Sequence, residues 1–211
     1  MPDFNVIPLW VTPLYVGTIP TAHSFVDKLK NVDWKRPDTD NGFVTTNTYL
    51  LDQTEFKNLK TAVTDHIETY VREVCNFDHN IKFYITNSWG TKHTKGDWAI
   101  KHFHPNSLFS GVLYLQCDPN SGEIVFYQNS GFSTLVPQTF EFDFSQQNMY
   151  NSTKYSVNPK DDMIVLFPSH LEHSVNISQS DHTRLAIAFN VFVNGTLGKN
   201  NPENISDLRL Y

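Results

Sequence analysis

The sequence predicts an α+β chain, mainly β, in which two N-terminal helices precede a sandwich or jelly roll. Three observations carry this. Between about residues 54 and 75, apolar side chains recur every three or four positions. After Asn80 that period gives way to short β-branched and aromatic runs. Those runs are separated by Pro, Gly, Asn and Asp, the residues that interrupt strands.

The helices come first. Phe25, Leu29 and Val32 set a short helix over about 21–32. A longer one over 54–75 carries Phe56, Leu59, Val63, Ile67, Tyr70, Val71 and Val74 on one face. Asp52 or Thr54 is its expected N-cap and Asn76 its stop. The apolar stretch 8–16 is broken by prolines and lacks a basic leader, so it is expected as an edge strand. Eight further strands are expected over 81–89, 98–104, 109–115, 124–127, 155–157, 163–167, 171–176 and 184–193. The polar, aromatic stretch 130–152 has no clear period and is expected to be a long loop over one end.

The expected organisation is one domain over 1–211. An N-terminal strand and helical elaboration takes 1–80, the jelly-roll core 81–195 and a C-terminal tail 196–211. Hydrophobic residues at 39% and charged residues at 18% fit a folded chain. The net charge of −6 disfavours a phosphate-tracking surface, so nucleic acid is not an expected partner. Cys75 and Cys117 are far apart and form no CxxC, which points to a reducing, cytoplasmic setting (a host cytoplasm if the chain is viral). No apolar run reaches the ~20 residues needed to span a bilayer. A homodimer is left open.

The chemistry concentrates on histidines. His102 and His104 lie in Lys-His-Phe-His-Pro-Asn-Ser, and His173 in Pro-Ser-His-Leu-Glu-His-Ser-Val. Residues i and i+2 of a strand share a face, so His102 and His104 can converge on one point. A third histidine from a later strand completes a facial set for a divalent metal. Taken singly, each histidine is more simply a local hydrogen-bonding residue; it is the combination that points to a metal.

In the last expected strand, Arg184, Ala186, Ala188 and Asn190 share one face, and Leu185, Ile187, Phe189 and Val191 the other. The bulky face is core. The small face leaves volume beside a guanidinium, whose planar fork matches a carboxylate. Such a face suits a dicarboxylate pocket, although an Arg at a strand end often reaches solvent.

Together these residues resemble the Fe(II)/2-oxoglutarate-dependent oxygenase superfamily. The order matches: a His-x-ligand element, Gly-Val-Leu-Tyr-Leu, Gly-Glu-Ile-Val-Phe, a late His, and an Arg eleven positions on. The chain resembles in particular the 2-oxoglutarate/iron oxygenases of marine bacteria and cyanophages, over roughly residues 89–193. The resemblance implies a double-stranded β-helix (jelly-roll) core with the N-terminal helices packed on one sheet. It implies Fe(II) and 2-oxoglutarate as cofactors, and oxidation of a protein side chain or small metabolite. His173 would be the distal iron ligand, and Arg184 would bind the far carboxylate of 2-oxoglutarate, with Tyr114 beside it. Asn190 would face cosubstrate or substrate.

The chain departs from the superfamily at the first ligand element, which reads His102-Phe-His104 where most members have His-x-Asp or His-x-Glu. Three ligand sets follow: His102, His104 and His173, which is preferred; His104 with Asn106; or two histidines alone. His170 and Glu172 rank lower on orientation. Two rival readings remain, a cupin-like three-histidine metalloenzyme without 2-oxoglutarate, and a non-catalytic jelly-roll binding or virion-associated protein.

Overall fold

Alternation sets the strands, and the strands set two sheets. The computed structural model describes residues 2–8, 11–38, 41–128, 143–198 and 202–208. In chain order the strands are β1 (Tyr15–Thr18), β2 (Trp34–Lys35), β3 (Phe43–Thr45), β4 (Lys82–His93), β5 (Ala99–His102) and β6 (Phe109–Gln116). There follow β7 (Ile124–Tyr127), β8 (Lys154–Val157), β9 (Met163–Pro168), β10 (His173–Val175), β11 (Arg184–Leu197) and β12 (Ser206–Leu208). The helices are α1 (Val26–Lys30) and α2 (Lys57–Thr69).

The larger sheet runs β1-β9-β6-β11-β4-β3-β2, with β12 added to β11. The smaller runs β5-β10-β7-β8. Every pairing between the named strands is antiparallel. The chain is thus mainly β with two helices. At the centre of the larger sheet, β11 lies between β4 and β6. Its two faces divide as the alternation predicts. Leu185, Ile187, Phe189 and Val191 join Leu59, Val63 and Ile67 of α2 in one core. Ala186 joins Val112, Tyr114, Ile124, Phe126 and Phe167 in a second core drawn from both sheets.

Several expectations shift. Among the described residues the N-terminal strand is an edge strand pairing only with β9, but it begins at Tyr15; residues 9 and 10 lie outside the described residues. The first helix opens as a 3-10 turn over Ala22–Phe25. The second is 3-10 over Thr54–Phe56, α over Lys57–Thr69 and π over Tyr70–Val74. Neither Asp52 nor Thr54 caps it: no side-chain cap bond forms at its start, and Asp52 instead pairs with Lys60. Asn76 does stop it, in the left-handed region at φ 54°. The short β2 and β3 extend the larger sheet beyond what alternation had marked. Of the stretch 130–152, residues 130–142 lie outside the described residues. The remainder has no strand or helix. Among the described residues no helix is long and apolar enough to cross a membrane.

Candidate active site

The site is built where the two sheets face each other. His102 closes β5 and His173 opens β10, and the two are direct cross-strand partners. His104 lies past the end of β5, so it does not share a strand with His102 as the spacing predicted. Its backbone N–H donates to the Ser169 carbonyl at 3.0 Å, which holds it beside the chain that follows β9. Alternation persists all the same: Phe103 points outward at 54% exposure while its neighbours turn inward.

The ring centroids are 4.4 Å apart for His102 and His173, and 5.1 Å for His104 with each of the others. One ring nitrogen from each lies within 4.8 Å of the rest. That is close to the limit of about 4.2 Å for two nitrogens each about 2.1 Å from one ion. His102 Nδ1 donates to the Ile100 carbonyl at 2.7 Å and His173 Nδ1 to the Leu171 carbonyl at 2.9 Å. A carbonyl only accepts, so both Nδ1 atoms carry a proton and Nε2 is the nitrogen of each ring left to face a metal. Metal-bound histidines are oriented in this way. Burial, and then the neighbouring imidazoles, lower the pKa of His173 to about 3 and of His104 to about 4. Both are therefore neutral, the form that binds a metal. Among the described residues no carboxylate or thiolate joins the cluster. Asn106 sits in an exposed turn at φ 58°, Glu172 pairs with Lys101 at 2.9 Å and His170 is exposed.

Arg184 stands on the facing sheet and lines the same cavity of about 280 Å³ as the three histidines and Tyr114. This is near the small end of ligand pockets, roughly 300–1,000 Å³. The guanidinium is buried and has no carboxylate partner among the described residues. Its Nη1 donates to the Gly122 carbonyl at 2.9 Å and more distantly to that of Ser121 at 3.4 Å, while its Nε has no partner. Gly122 has φ 86°, and a Cβ there would lie 2.3 Å from the Asn176 carbonyl oxygen, so only glycine fits. Arg184 Cζ lies 5.5 Å from the Tyr114 ring centroid. Burial raises the Tyr114 pKa to about 12 against the lowering effect of Arg184, so its hydroxyl keeps its proton.

Asn190 falls elsewhere. It lines a second hollow of about 660 Å³, which shares Pro37, Val44, Trp89 and His104 with the first. Ser110 Oγ lies 2.8 Å from its amide oxygen. The sequence reasoning missed His93, which is buried in the cavity wall beside Arg184. Continuing the alternation of β4 past Trp89 would have found it: Trp89, Thr91 and His93 all line the cavity, opposite Ala188, Ala186 and Arg184.

The residues therefore fit a metal and a dicarboxylate: three histidine ring nitrogens converge within 4.8 Å of one another, and among the described residues a buried cation lacks its anion. Comparison with known proteins agrees. Residues 87–190 match the family model described as "Putative 2OG-Fe(II) oxygenase". No curated protein matches in sequence. The fold is similar to HygX from Streptomyces hygroscopicus, solved with nickel and 2-oxoglutarate, at TM-score 0.60 and 16% identity over 85% of this chain and 82% of that one. It is similar to a Pseudomonas putida prolyl-4-hydroxylase at TM-score 0.56 and 14% identity, covering 85% and 92% of the two chains. A Trichoplax adhaerens prolyl hydroxylase, in complex with a hypoxia inducible factor peptide fragment, gives TM-score 0.59 and 15% identity over 85% and 83%. The family match over 87–190 and the three-histidine cluster support the 2OG-Fe(II) oxygenase superfamily, and the chain is a dioxygenase that uses Fe(II) and 2-oxoglutarate.

Proposed function

We propose that His102, His104 and His173 hold the iron, that Arg184 and Tyr114 hold the far carboxylate of 2-oxoglutarate, and that the enzyme hydroxylates a protein side chain or small metabolite. The observation that carries this is Arg184. A buried cation without a counter-charge is costly, and a ligand carboxylate in the shared cavity would offset that cost. The two facing antiparallel sheets with the cavity between them support a double-stranded β-helix.

Iron with 2-oxoglutarate, when bound, supplies oxygen activation, placing one oxygen atom on the substrate and the other in succinate as carbon dioxide leaves. The chain's own residues do the rest. Carbonyls 100 and 171 keep two imidazoles turned with Nε2 inward. Arg184 orients the dicarboxylate by charge, and the Tyr114 hydroxyl donates to the same end. Val112, Ile124 and Phe167 line the cavity with apolar surface that excludes water. The second hollow, meeting the first at Trp89 and His104, gives the substrate its approach, with Asn190 and Asn87 on its wall. The similar structures include one with hygromycin B bound and one in complex with a peptide fragment, so this fold accommodates ligands of both sizes.

The test is anaerobic titration of the apo-protein with Fe(II) and then 2-oxoglutarate, following the visible charge-transfer band. The band appears in the wild type, is lost in His173→Ala and needs more 2-oxoglutarate in Arg184→Ala. Tight iron binding with no band at saturating 2-oxoglutarate would move the protein to the three-histidine, cupin-like class.

A further inference from the structure

His93 neither binds the metal nor touches the cosubstrate in this assignment, yet it is only 5% exposed and among the described residues its Nδ1 has no hydrogen-bond partner. Arg184 Nε is in the same condition. The two residues are Cα partners across β4 and β11. Directly opposed residues of an antiparallel pair project to the same face, with Cβ atoms roughly 4.5–5.5 Å apart. Buried polar atoms without partners are rare. Here two occur side by side.

Their chemistry is complementary. An arginine Nε–H can only donate. Burial, and then the Arg184 charge, hold the His93 pKa down to about 3 against the opposing pull of Asp97, so the ring is neutral and one nitrogen is a bare acceptor. Asp97 itself is engaged, its carboxylate accepting from Thr94 N and Oγ1. Both orphan atoms are buried, and the two residues stand next to each other in the wall of the same cavity. Space for the ring is kept by Gly42, where a Cβ would sit 2.7 Å from His93 Cδ2.

We propose that His93 is a positioning residue for Arg184: its Nδ1 accepts the Arg184 Nε–H as 2-oxoglutarate loads, turning the far edge of the guanidinium to the cosubstrate carboxylate. The inference rests on the reading of Arg184 as the carboxylate clamp. With Nη1 on the Gly122 carbonyl and Nε on His93, the plane of the guanidinium is fixed from two sides. The hydrogens of Nη2 are then left for the ligand.

The test uses calorimetry of 2-oxoglutarate binding to the Ni(II)-loaded protein, which requires no turnover, alongside KM and kcat for 2-oxoglutarate in the iron enzyme. His93→Leu removes the acceptor and is expected to weaken 2-oxoglutarate by about tenfold or more, raising KM more than it lowers kcat and leaving Ni(II) affinity unchanged. His93→Asn restores an acceptor near the Nδ1 position and stays within about threefold of wild type. If His93→Leu does not fold, His93→Phe carries the same expectation. Wild-type affinity in the Leu or Phe variant, or equal losses in Leu and Asn, would overturn the proposal alone. Failure of the wild type itself to bind 2-oxoglutarate would overturn the clamp reading and this inference with it.

Discussion

His102 and His173 face each other as Cα partners across β5 and β10, so one antiparallel pairing brings together two histidines 71 positions apart in the chain. Both spend Nδ1 on a local carbonyl. Replacing either with Ala is expected to lower iron affinity by more than the roughly 10–100-fold that loss of an outer partner costs. His104→Ala should do the same, and Asn106→Ala should leave iron affinity unchanged. Equilibrium dialysis of Fe(II) under anaerobic conditions measures all four; loss of iron in Asn106→Ala would restore the His104–Asn106 ligand set.

Arg184 carries opposite consequences for stability and for function. Replacing a buried charge by an apolar residue of similar volume often stabilises a fold by about 1–4 kcal/mol. Arg184→Met is therefore expected to raise the apo-protein Tm, at roughly 2–4 °C per kcal/mol for a chain of this size. The same variant should lose the Tm increase that 2-oxoglutarate gives the metal-loaded wild type. Differential scanning calorimetry with and without cosubstrate reads both. A variant that melts lower and still responds to 2-oxoglutarate would contradict the clamp.

The sequence shows most clearly what alternation controls. The two faces of β11 are legible from residue size, because bulky and small side chains alternate without a break from Leu185 to Val191. His173 and Arg184 stand out through their motif. What stays hidden depends on pairing over long range. His93 meets Arg184 only because β4 runs on past Trp89 through Gly-Thr-Lys-His, a polar stretch that looks like a turn. His104 is held by a backbone bond to Ser169, which no local pattern announces. The π turn at Tyr70–Val74 interrupts a helical period that continues through it.

Gly122 ties the backbone to the clamp. Its φ of 86° and its approach to the Asn176 carbonyl leave no room for a side chain, and its own carbonyl accepts from Arg184. Gly122→Ala is expected to destabilise the fold by about 1–3 kcal/mol and to weaken 2-oxoglutarate binding while leaving iron binding intact. Urea unfolding and cosubstrate titration of the same variant separate the two effects. Unchanged 2-oxoglutarate affinity in a destabilised variant would limit Gly122 to a structural part.

Acid should act on this fold through buried histidines. His93 and His173 have pKa values near 3 and His104 near 4, each lowered chiefly by burial. In the unfolded chain each returns to about 6.5. Between those values the unfolded state binds more protons than the folded one, so stability rises with pH. The contribution is complete above about pH 6.5 and is lost as pH falls toward about 4 for His104 and about 3 for His93 and His173, at up to about 1.4 kcal/mol per pH unit for each group. Urea midpoints of the apo-protein at pH 7, 6 and 5 should fall in that order. His93→Asn removes one of the three groups and should flatten the fall. A slope unchanged in that variant would mean that His93 is already protonated in the folded protein, a second cation beside Arg184, and Nδ1 could then accept nothing from it.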